Sequence, residues 1–428
     1  MNRLLDLLLH RIVRAGDLEL IDSRGEPHRY GDGGGAPVVV RIADKRLERR
    51  LLRDPHLALG EGYMNGQLRM ERGQVFDLLA LLASNAQQRP APNWTTGFDA
   101  ARFLMRRIMQ FNPIARARRN VARHYDIDGA IYDLFLDRDR QYSCGYFTDD
   151  IAGLDEAQLA KKRHIAAKLA LAAGQRVLDI GSGWGGLGIY VAKTARADVT
   201  GVTLSREQLS ISNQRAAREG LQRSVRFELK DYRKIGGCFD RVVSVGMFEH
   251  VGVNHYARYF RKIRQLLAED GVALVHSIGR SEPPGATHPF IAKYIFPGGY
   301  IPALSEVFPA VERSGLLVRD TEILSLHYAE TTREWRRRFL ANRERVLELY
   351  DERFIRMWEF YLAGSESAFR HDHIHVFHLQ LALEQDRVPL TRAYIPEAMQ
   401  ALALAELEVP EYAALHDRPL AAVRRSAS

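Results

Sequence analysis

The chain has 428 residues, of which 46% are hydrophobic and 27% are charged, and its formal net charge is +8. This length and composition predict two globular domains and argue against general disorder. The basic balance favours an anionic partner, either a nucleic acid or an anionic lipid surface, and does not choose between them. Two cysteines, Cys144 and Cys238, are too few for a disulfide framework, which indicates a reducing compartment.

The N-terminal stretch MNRLLDLLLHRIVRAG has apolar residues at helical spacing, but charges interrupt it and no small-residue cleavage site follows. We therefore expect a helix rather than a signal peptide, and no apolar run is long enough to span a bilayer. Two strands around Gly-rich turns come next, followed by a helix that leads into GEGYMNG. Residues 1–90 are predicted to form a small α+β domain.

Residues 91–125 are predicted to be a basic amphipathic linker. The stretch SNAQQRPAPNWTTG has the composition of a linker, and the segment after it mixes arginines with apolar residues without any acid between them. This pattern is typical of a segment at a membrane interface, and equally of a linker helix with a solvated arginine face. The arginines are Arg102, Arg106, Arg107, Arg116, Arg118, Arg119 and Arg123.

From about residue 165, strands alternate with helical segments. The strands are RVLDIGSG, DVTGVTL, VRFELKDY, DRVVSVGMFEH and GVALVHSIG. Such alternation predicts a parallel sheet wrapped by helices. Ligands bind such sheets at the carboxyl ends of the strands, so the residues that follow each strand are the first candidates for a site.

A glycine-rich loop follows the first of these strands. Its Gly181, Gly183 and Gly185 allow a tight turn and a close approach of the backbone to a ligand. A nicotinamide dinucleotide site would show an acid about 20 residues later, where this chain has Thr203 and Gln208 instead. The nicotinamide interpretation is therefore disfavoured.

The third strand ends in Asp231 and Tyr232, a carboxylate that can accept from an exocyclic amine beside a ring that can stack on adenine. Together with the first two strand ends, this pair favours S-adenosylmethionine. The alternative is that each polar pair only caps the next helix. Glu249 ends the fourth strand and His276 ends the fifth, so both are expected in the same crevice as the glycine-rich loop. Singly, either could be a satisfied core group, but their shared edge favours a site.

These motifs resemble the cyclopropane fatty acid synthase family of S-adenosylmethionine-dependent methyltransferases. The resemblance runs from about residue 120 to 380, through HYDIDGAIYDLFLD, YSCGYF, VLDIGSGWGG, GVTLSREQ, MFEHVG, KYIFPGGYIP, HYAETTREW and RMWEFYLAGSESAFR. It implies a Rossmann-like class I methyltransferase sheet flanked by helices over residues 126–400, followed by a C-terminal tail, 401–428. The N-terminal domain with GEGYMNG resembles the extra domain of members that act on bacterial phospholipids, which implies that residues 1–90 form a lipid-binding-like α+β domain.

The resemblance also implies two cofactors, S-adenosylmethionine and a bicarbonate ion. The implied S-adenosylmethionine contacts are Tyr142, Ser143, Asp179, Gly181, Gly183, Gly185, Thr203, Gln208, Asp231 and Tyr232. The implied bicarbonate contacts are Cys144, Glu249, His276, Ile278 and Tyr328. Cys144, Glu249, His276 and Tyr328 are also the candidate catalytic residues, and no metal site is expected. Two positions depart from the family pattern: His288 stands where an acid or amide is expected, and His378 where many relatives carry Gln.

The implied reaction adds a methyl group to the cis double bond of an unsaturated acyl chain in membrane phospholipid and then closes a cyclopropane ring. Aromatic faces could stabilise the intermediate cation. The aromatic candidates are Tyr294, Phe296, Tyr300, Trp358, Phe360 and Tyr361, each of which could equally be ordinary core. Bicarbonate would take the proton, with His276 and Tyr328 as donors and Glu249 orienting the ion. Cys144 is then a wall of the site rather than a nucleophile.

Other functions stay open at this point. The same cation can lose a different proton and give a methyl- or methylene-branched chain, and a small-molecule N-methyltransferase could share the cofactor loop and Glu249. A lipid carrier would explain only the N-terminal domain, and a nucleic-acid methyltransferase would need an NPPY-like loop or a cysteine nucleophile motif, which the fourth strand does not lead into. We expect a cytoplasmic enzyme at the inner face of an anionic membrane, without a nucleic-acid partner, and the resemblance suggests a homodimer.

Overall fold

The computed structural model describes residues 1–87, 110, 129–149, 151 and 153–416. The chain divides into two compact units. The first comprises Met1–Met109, Gly285–Pro297 and Thr332–Ile374, and the second comprises Gln110–Pro284, Gly298–Thr331 and His375–Ser428. The arginines of the predicted linker lie outside the described residues, so its amphipathic character stays a prediction. Among the described helices, none is long and apolar enough to cross a membrane.

The regular elements are numbered here in chain order. The helices are α1 (Arg3–Ile12), α2 (Lys45–Arg53), α3 (Pro55–Met64), α4 (Val75–Gln87), α5 (Gly129–Asp133), α6 (Leu154–Lys168), α7 (Gly186–Ala195), α8 (Arg206–Arg218), α9 (Tyr256–Leu266), α10 (Leu304–Glu312), α11 (His327–Ala341), α12 (Arg343–Leu349), α13 (Glu352–His371), α14 (Tyr394–Leu407) and α15 (Pro410–His416). The strands are β1 (Asp17–Ile21), β2 (Pro27–Gly31), β3 (Val38–Ile42), β4 (Leu68–Arg72), β5 (Arg176–Ile180), β6 (Asp198–Thr203), β7 (Val225–Leu229), β8 (Phe239–Val245), β9 (Leu267–Arg280), β10 (Leu317–Leu324) and β11 (Ile374–Ala382).

The first unit contains a four-stranded mixed sheet in the order β2-β1-β3-β4. Burial alternates along β1 and β3, with Leu18, Leu20 and Val40 facing inward, as expected for strands with one covered face. Helix α13 packs on α3 and α4. A side chain at Gly60 of α3 would overlap the ring of Phe290, so glycine is required for this close packing. The N-terminal residues thus have the predicted α+β arrangement.

The second unit contains a seven-stranded sheet in the order β10-β11-β9-β8-β5-β6-β7. Strands β5 to β9 run parallel to one another, and β11 runs antiparallel to β10. The central strands are buried, including Val177, Leu178 and Val242, because helices cover both faces. The predicted parallel sheet flanked by helices is confirmed. Strand order reverses at β5, which places the ligand crevice at the carboxyl ends of β5 and its neighbours.

The units differ from the predicted contiguous domains in two respects. The first unit also includes Gly285–Pro297 and Thr332–Ile374, which the sequence analysis assigned to the methyltransferase domain. The boundary predicted at residue 400 falls inside α14, and the described part of the predicted tail, 401–416, packs within the second unit. The reason is a buried charge cluster: Glu406 accepts hydrogen bonds from Arg163 at 2.9 Å and from the Tyr190 hydroxyl at 2.7 Å.

Candidate active site at the carboxyl ends of the central strands

The glycine-rich loop connects β5 to α7. Gly181, Gly183 and Gly185 have φ angles of 86°, 53° and 86°, in the left-handed region that favours glycine. A Cβ atom at Gly185 would lie 2.7 Å from the Phe227 ring, so this glycine is needed for packing. A Cβ atom at Gly183 would meet no heavy atom within 4 Å. The open space beside Gly183, just before the N-terminus of α7, suits the close approach of a ligand.

Asp179 lies in β5, immediately before this loop. Its side chain is almost completely buried, and one carboxylate oxygen has no hydrogen-bond partner among the described residues. Burial raises the pKa of Asp179 to about 7. An unpartnered buried carboxylate is costly in an otherwise apolar strand, which favours a role in the site over a role in the core.

The end of β6 carries a compact polar cluster. The Thr203 hydroxyl lies 2.7 Å from Gln208 Oε1 and accepts from the Ser205 backbone N–H at 3.1 Å. Ser205 caps α8 by accepting from the Gln208 backbone N–H. Only half of a capping box is therefore formed, because Thr203, not Gln208, binds the Ser205 N–H. The buried Nε2 group of Gln208 has no partner among the described residues and can donate to a ligand.

Asp231, at the end of β7, is already engaged by a cation. Its carboxylate accepts from the Arg233 backbone N–H at 2.9 Å and from the Arg233 guanidinium at 2.8 and 2.6 Å. The neighbouring Tyr232 ring packs edge-on against Tyr259, with ring centroids 5.4 Å apart. Asp231 can thus accept from an amine only while it is shared with Arg233, a partner that the sequence analysis missed. The Arg two positions after the Asp is the signal that could have found it.

The YSCGYF segment is fixed from two sides. Ser143 Oγ accepts from Lys161 Nζ at 2.9 Å, and the Ser143 carbonyl accepts from the Gln158 amide at 2.9 Å. The Tyr142 ring packs edge-on against Tyr132, whose ring also contacts Trp184 of the glycine-rich loop. The structure therefore joins Tyr142 to the glycine-rich loop through Tyr132, and it joins Ser143 to α6. The sequence analysis missed Gln158 and Lys161, which sit on α6.

Lys161 is a buried cation at the centre of the site. Burial has the largest effect on the pKa values of Cys144, Asp179 and His276, and the Lys161 ammonium has the second largest. Burial lowers the pKa of Lys161 itself to about 8. These three groups come from different segments, and the charge of Lys161 acts on all of them. A positive charge in a low-dielectric environment favours an anionic ligand.

The Glu249 side chain takes over from strand β8 as a hydrogen-bond partner of strand β9. Strand β8 leaves the sheet after Val245, which pairs with His276 of β9, and Glu249 Oε1 then accepts the Ile278 backbone N–H at 2.7 Å. The second oxygen, Oε2, is buried without a hydrogen-bond partner among the described residues. Burial raises the pKa of Glu249 to about 7. One oxygen is thus structural, and the other is free to bind or exchange a proton near neutral pH.

His276 is a neutral, almost fully buried imidazole. Burial lowers its pKa to about 3, and its Nδ1 atom lies 2.8 Å from Nε2 of His378. His250, which follows Glu249 in the sequence, is partly buried, and desolvation lowers its pKa to about 4. The departure from the family pattern at His378 therefore lies in direct contact with a predicted catalytic residue.

Cys144 is completely buried, and burial raises its pKa far above the usual range. A buried thiol with a raised pKa is a poor nucleophile, and the role of Cys144 as a wall of the site stays a prediction. The next residue, Gly145, donates its backbone N–H to Thr331 of α11 at 2.9 Å. Tyr328 lies one turn earlier on α11, on the helix that contacts the Cys144 segment.

The aromatic candidates divide between the two units. In the first unit, the Tyr361 ring packs edge-on against Trp358 and Phe296, and Phe360 contacts Phe290, which in turn contacts Tyr294. Tyr300 belongs to the second unit, where its ring is part of the core and its hydroxyl donates to Glu306. Ordinary core packing therefore accounts for Tyr300. His288 packs edge-on against His56, with ring centroids 5.4 Å apart.

The chain matches a family of lipid-modifying enzymes. The family model described as mycolic acid cyclopropane synthetase matches residues 113–379. The chain is 37% identical over 337 residues to the cyclopropane-fatty-acyl-phospholipid synthase of Escherichia coli (strain K12), a match that covers 79% of this chain and 86% of the relative. It is 35% identical over 390 residues to tuberculostearic acid methyltransferase UfaA1 of Mycobacterium tuberculosis, covering 88% and 90%. The solved structure of mycolic acid cyclopropane synthase CmaA1 complexed with SAH and CTAB has a TM-score of 0.60 and 33% identity, covering 64% of this chain and 99% of that chain.

The matched segment contains the whole candidate site. It spans the YSCGYF segment, the glycine-rich loop, the strand ends of the second unit and the start of α11. More than half of the chain is included, and both the parallel sheet and its flanking helices agree with the solved relative. The chain therefore belongs to the mycolic acid cyclopropane synthetase family of S-adenosylmethionine-dependent methyltransferases.

Proposed function

We propose that this enzyme transfers a methylene group from S-adenosylmethionine to the cis double bond of an unsaturated acyl chain in phospholipid, forming a cyclopropane ring. The observation that carries the proposal is the match to the Escherichia coli cyclopropane-fatty-acyl-phospholipid synthase, which covers 79% of this chain and so reaches beyond the matched family segment. The buried, unpartnered oxygen of Glu249 supports it, since the reaction needs a proton-accepting site away from water.

The cofactor is assigned to the glycine-rich loop and the neighbouring strand ends. Gly183 offers open space to the ligand, and Gln208 Nε2 and an oxygen of Asp179 are buried polar atoms that lack partners among the described residues. Tyr142 and Ser143 would complete this pocket through their links to Trp184 and Lys161. An alkene is a weak nucleophile, so the main tasks of these residues are to orient the sulfonium methyl group and to exclude water.

Bicarbonate fits the residues that the family resemblance implies. Cys144, Glu249, His276 and Tyr328 would surround it, and Ile278 contributes by fixing Glu249 through its backbone N–H. A carboxyl whose pKa is near 7 can share a proton with an anion, and the Lys161 ammonium lowers the cost of a negative charge nearby. When bound, bicarbonate supplies an oxygen base for the proton that leaves the new methyl group.

The direct test is the lipid product. Cells that express the enzyme would be fed deuterium-labelled methionine, and their phospholipid acyl chains analysed by mass spectrometry and NMR. Cyclopropane proton signals, with loss of one deuterium from each transferred methyl group, are expected. Unchanged acyl chains alongside a labelled small amine would contradict the proposal and point to an N-methyltransferase.

A second candidate product is a branched acyl chain. The match to tuberculostearic acid methyltransferase UfaA1 covers 88% of this chain, which is more than the match to the Escherichia coli enzyme covers. Both products come from the same methyl transfer and differ in what happens to the cation afterwards. Retention of all the transferred deuterium in a methyl branch on a chain that stays unsaturated, or of two deuteriums in an exomethylene group, without ring signals, would favour this alternative.

We also propose that the enzyme docks on anionic membrane surfaces and that α1 takes part. Leu4 and Leu7 lie one turn apart on α1 and are 66% and 58% exposed, beside the exposed Arg3 and Arg11. Exposed leucines next to arginines are typical of a helix that lies in the headgroup region of a bilayer. The predicted basic linker would add to this attraction.

We expect Leu4→Gln/Leu7→Gln to weaken binding to vesicles of anionic phosphatidylglycerol about tenfold or more, because burial of one leucine contributes about 1.5–3 kcal/mol. Binding of the parent should also weaken as salt rises. Co-sedimentation measures both effects. The matched control is Leu404→Gln, since Leu404 is 63% exposed on α14. Equal binding of parent and double variant, or equal partitioning onto neutral phosphatidylcholine vesicles at low salt, would contradict the assignment.

A further inference from the structure

The contact between His276 and His378 is part of a longer row of neighbouring polar side chains in the second unit. His276 lies near the end of β9 and His378 lies on the neighbouring strand β11, and both side chains are almost fully buried. The His276 Nδ1 and His378 Nε2 atoms are 2.8 Å apart. Two neutral imidazoles at this distance must share one hydrogen, so one donates and the other accepts.

The last side chain in this row is an anion, the carboxylate of Glu322. Glu322 on β10 stands directly opposite His378 in the β10–β11 register, and its Oε2 atom lies 3.7 Å from His378 Nδ1. His164 Nε2 and Lys168 Nζ each lie 2.6 Å from the same oxygen. Burial alone would raise the pKa of Glu322, but these two partners lower it to about 2. Glu322 is therefore ionised.

The anion decides which nitrogen of His378 carries the hydrogen. At 3.7 Å the pair is too long for a hydrogen bond, and His378 Nδ1 has no other hydrogen-bond partner among the described residues. An N–H that points toward a carboxylate is attracted, whereas a nitrogen lone pair that points toward it is repelled. In neutral His378 a hydrogen on Nδ1 leaves Nε2 bare. The bare Nε2 atom then accepts from the Nδ1–H group of His276.

We propose that His378, oriented by Glu322, is a positioning residue that holds His276 with its hydrogen on Nδ1 and a bare Nε2 atom turned to the active site. This inference rests on the proposed function, because it assigns the state in which His276 meets the reaction. It differs from the expectation that His276 donates a hydrogen bond to the anion. A bare nitrogen can only accept a hydrogen bond or a proton.

The surroundings keep both imidazoles neutral. The charged and titratable groups that act on them are Lys161, His164 and Lys168 of α6, His327 of α11 and Glu322 of β10. Burial and the two lysine ammonium groups oppose protonation, so the pKa of His276 falls to about 3 and that of His378 falls well below the usual value. The arrangement is therefore a fixed tautomer rather than a pH switch.

A metal ion at His164, Glu322 and His378 would be the competing arrangement, but the Lys168 ammonium already neutralises Glu322.

The tautomer can be observed without substrate. In protein labelled with ¹⁵N-histidine, long-range ¹H–¹⁵N spectra distinguish protonated from bare ring nitrogens, and the loss of signals in His276→Gln assigns His276. We expect a protonated Nδ1 and a bare Nε2 in the parent. Replacing His378 with Leu should move the hydrogen of His276 toward Nε2. His378→Gln should preserve the parent pattern, because the amide oxygen can accept from Nδ1–H.

Turnover should fall when the hydrogen of His276 moves from Nδ1 to Nε2. We expect His378→Leu to lower kcat about 10-fold or more, as is usual when the partner of a functional histidine is lost, while His378→Gln stays within about 3-fold of the parent. His375→Gln is the matched control, since His375 is a buried histidine on the opposite face of β11. A protonated Nε2 in the parent, equal losses in the Leu and Gln variants, or one equivalent of bound zinc would overturn the proposal. If His378→Leu does not fold, the parent spectrum and His378→Gln still decide.

Discussion

Replacing Glu249 with Gln should lower turnover on the order of 10²-fold or more, the range typical of losing a positioned acid–base group. The amide of Gln can still accept the Ile278 N–H, so the local structure is kept. It cannot take up or release a proton where Glu249 Oε2 now stands free. The affinity for S-adenosylmethionine, measured by calorimetry, should change little. Glu269→Gln, at the exposed amino end of β9, is the control for a charge change on the neighbouring strand.

The pH dependence tests how Glu249 acts. Its pKa is raised to about 7, so the protonated form that can share its proton with an anion is lost as pH rises above that value. We therefore expect the bicarbonate concentration needed for half-maximal activity to rise above about pH 7 in the parent and to stay constant in Glu249→Gln. Activity that instead rises with pH, and is complete in buffer stripped of bicarbonate, would make Glu249 the direct base.

Thermal stability separates a site residue from a structural acid. Because burial raises the pKa of Glu249 above the usual value of 4.5, the folded state binds this proton more tightly than the unfolded state. Its contribution to the free energy of unfolding therefore falls as pH rises from about 4.5 to 7. Removing the ionisable group should leave the Tm at pH 8 unchanged or higher. A lower Tm together with weaker cofactor binding would show that Glu249 mainly holds the fold.

Local patterns were sufficient to predict the central sheet. The apolar runs that lead to Gly181, Thr203, Asp231, Glu249 and His276 form the strands β5 to β9, because a parallel strand covered on both faces must be almost continuously apolar. The predicted end of the fifth strand at His276 is too early, since β9 continues to Arg280. Parallel direction then brings all their polar ends to one edge. The edge strand β10 was less evident, since LVRDTEIL mixes charges with apolar residues along its length.

The partners of the site residues could not be predicted in the same way. In the sequence, Lys161 is one of many charged residues on its helix. Only the tertiary packing of α6 buries it beside Ser143. Likewise His378 is 102 positions from His276, and no periodicity connects them. Sequence spacing determines which residues share a face of one element. It does not determine which distant element packs against that face. The pKa values of the site residues depend on the burial that this packing causes.

Gly183→Val should weaken the binding of S-adenosylmethionine on the order of 10²-fold, since placing methyl groups in filled space costs about 1–3 kcal/mol and each 1.4 kcal/mol is tenfold. Gly183 has a φ of 53° and open space where a Cβ atom would lie, which is the space assigned to the cofactor. Calorimetry with S-adenosylmethionine and with S-adenosylhomocysteine measures the loss without any lipid substrate.

The control for this substitution is Gly220→Val. Gly220 follows α8, has a φ of 68°, and also has no heavy atom within 4 Å of an added Cβ atom, so it carries the same backbone strain without a ligand beside it. We expect its cofactor affinity to equal that of the parent. If the two variants lose affinity equally, strain spread through the fold is the cause rather than contact with the ligand. If Gly183→Val binds as tightly as the parent, the cofactor does not occupy the space beside Gly183, and its pocket must be assigned to other strand ends of the sheet.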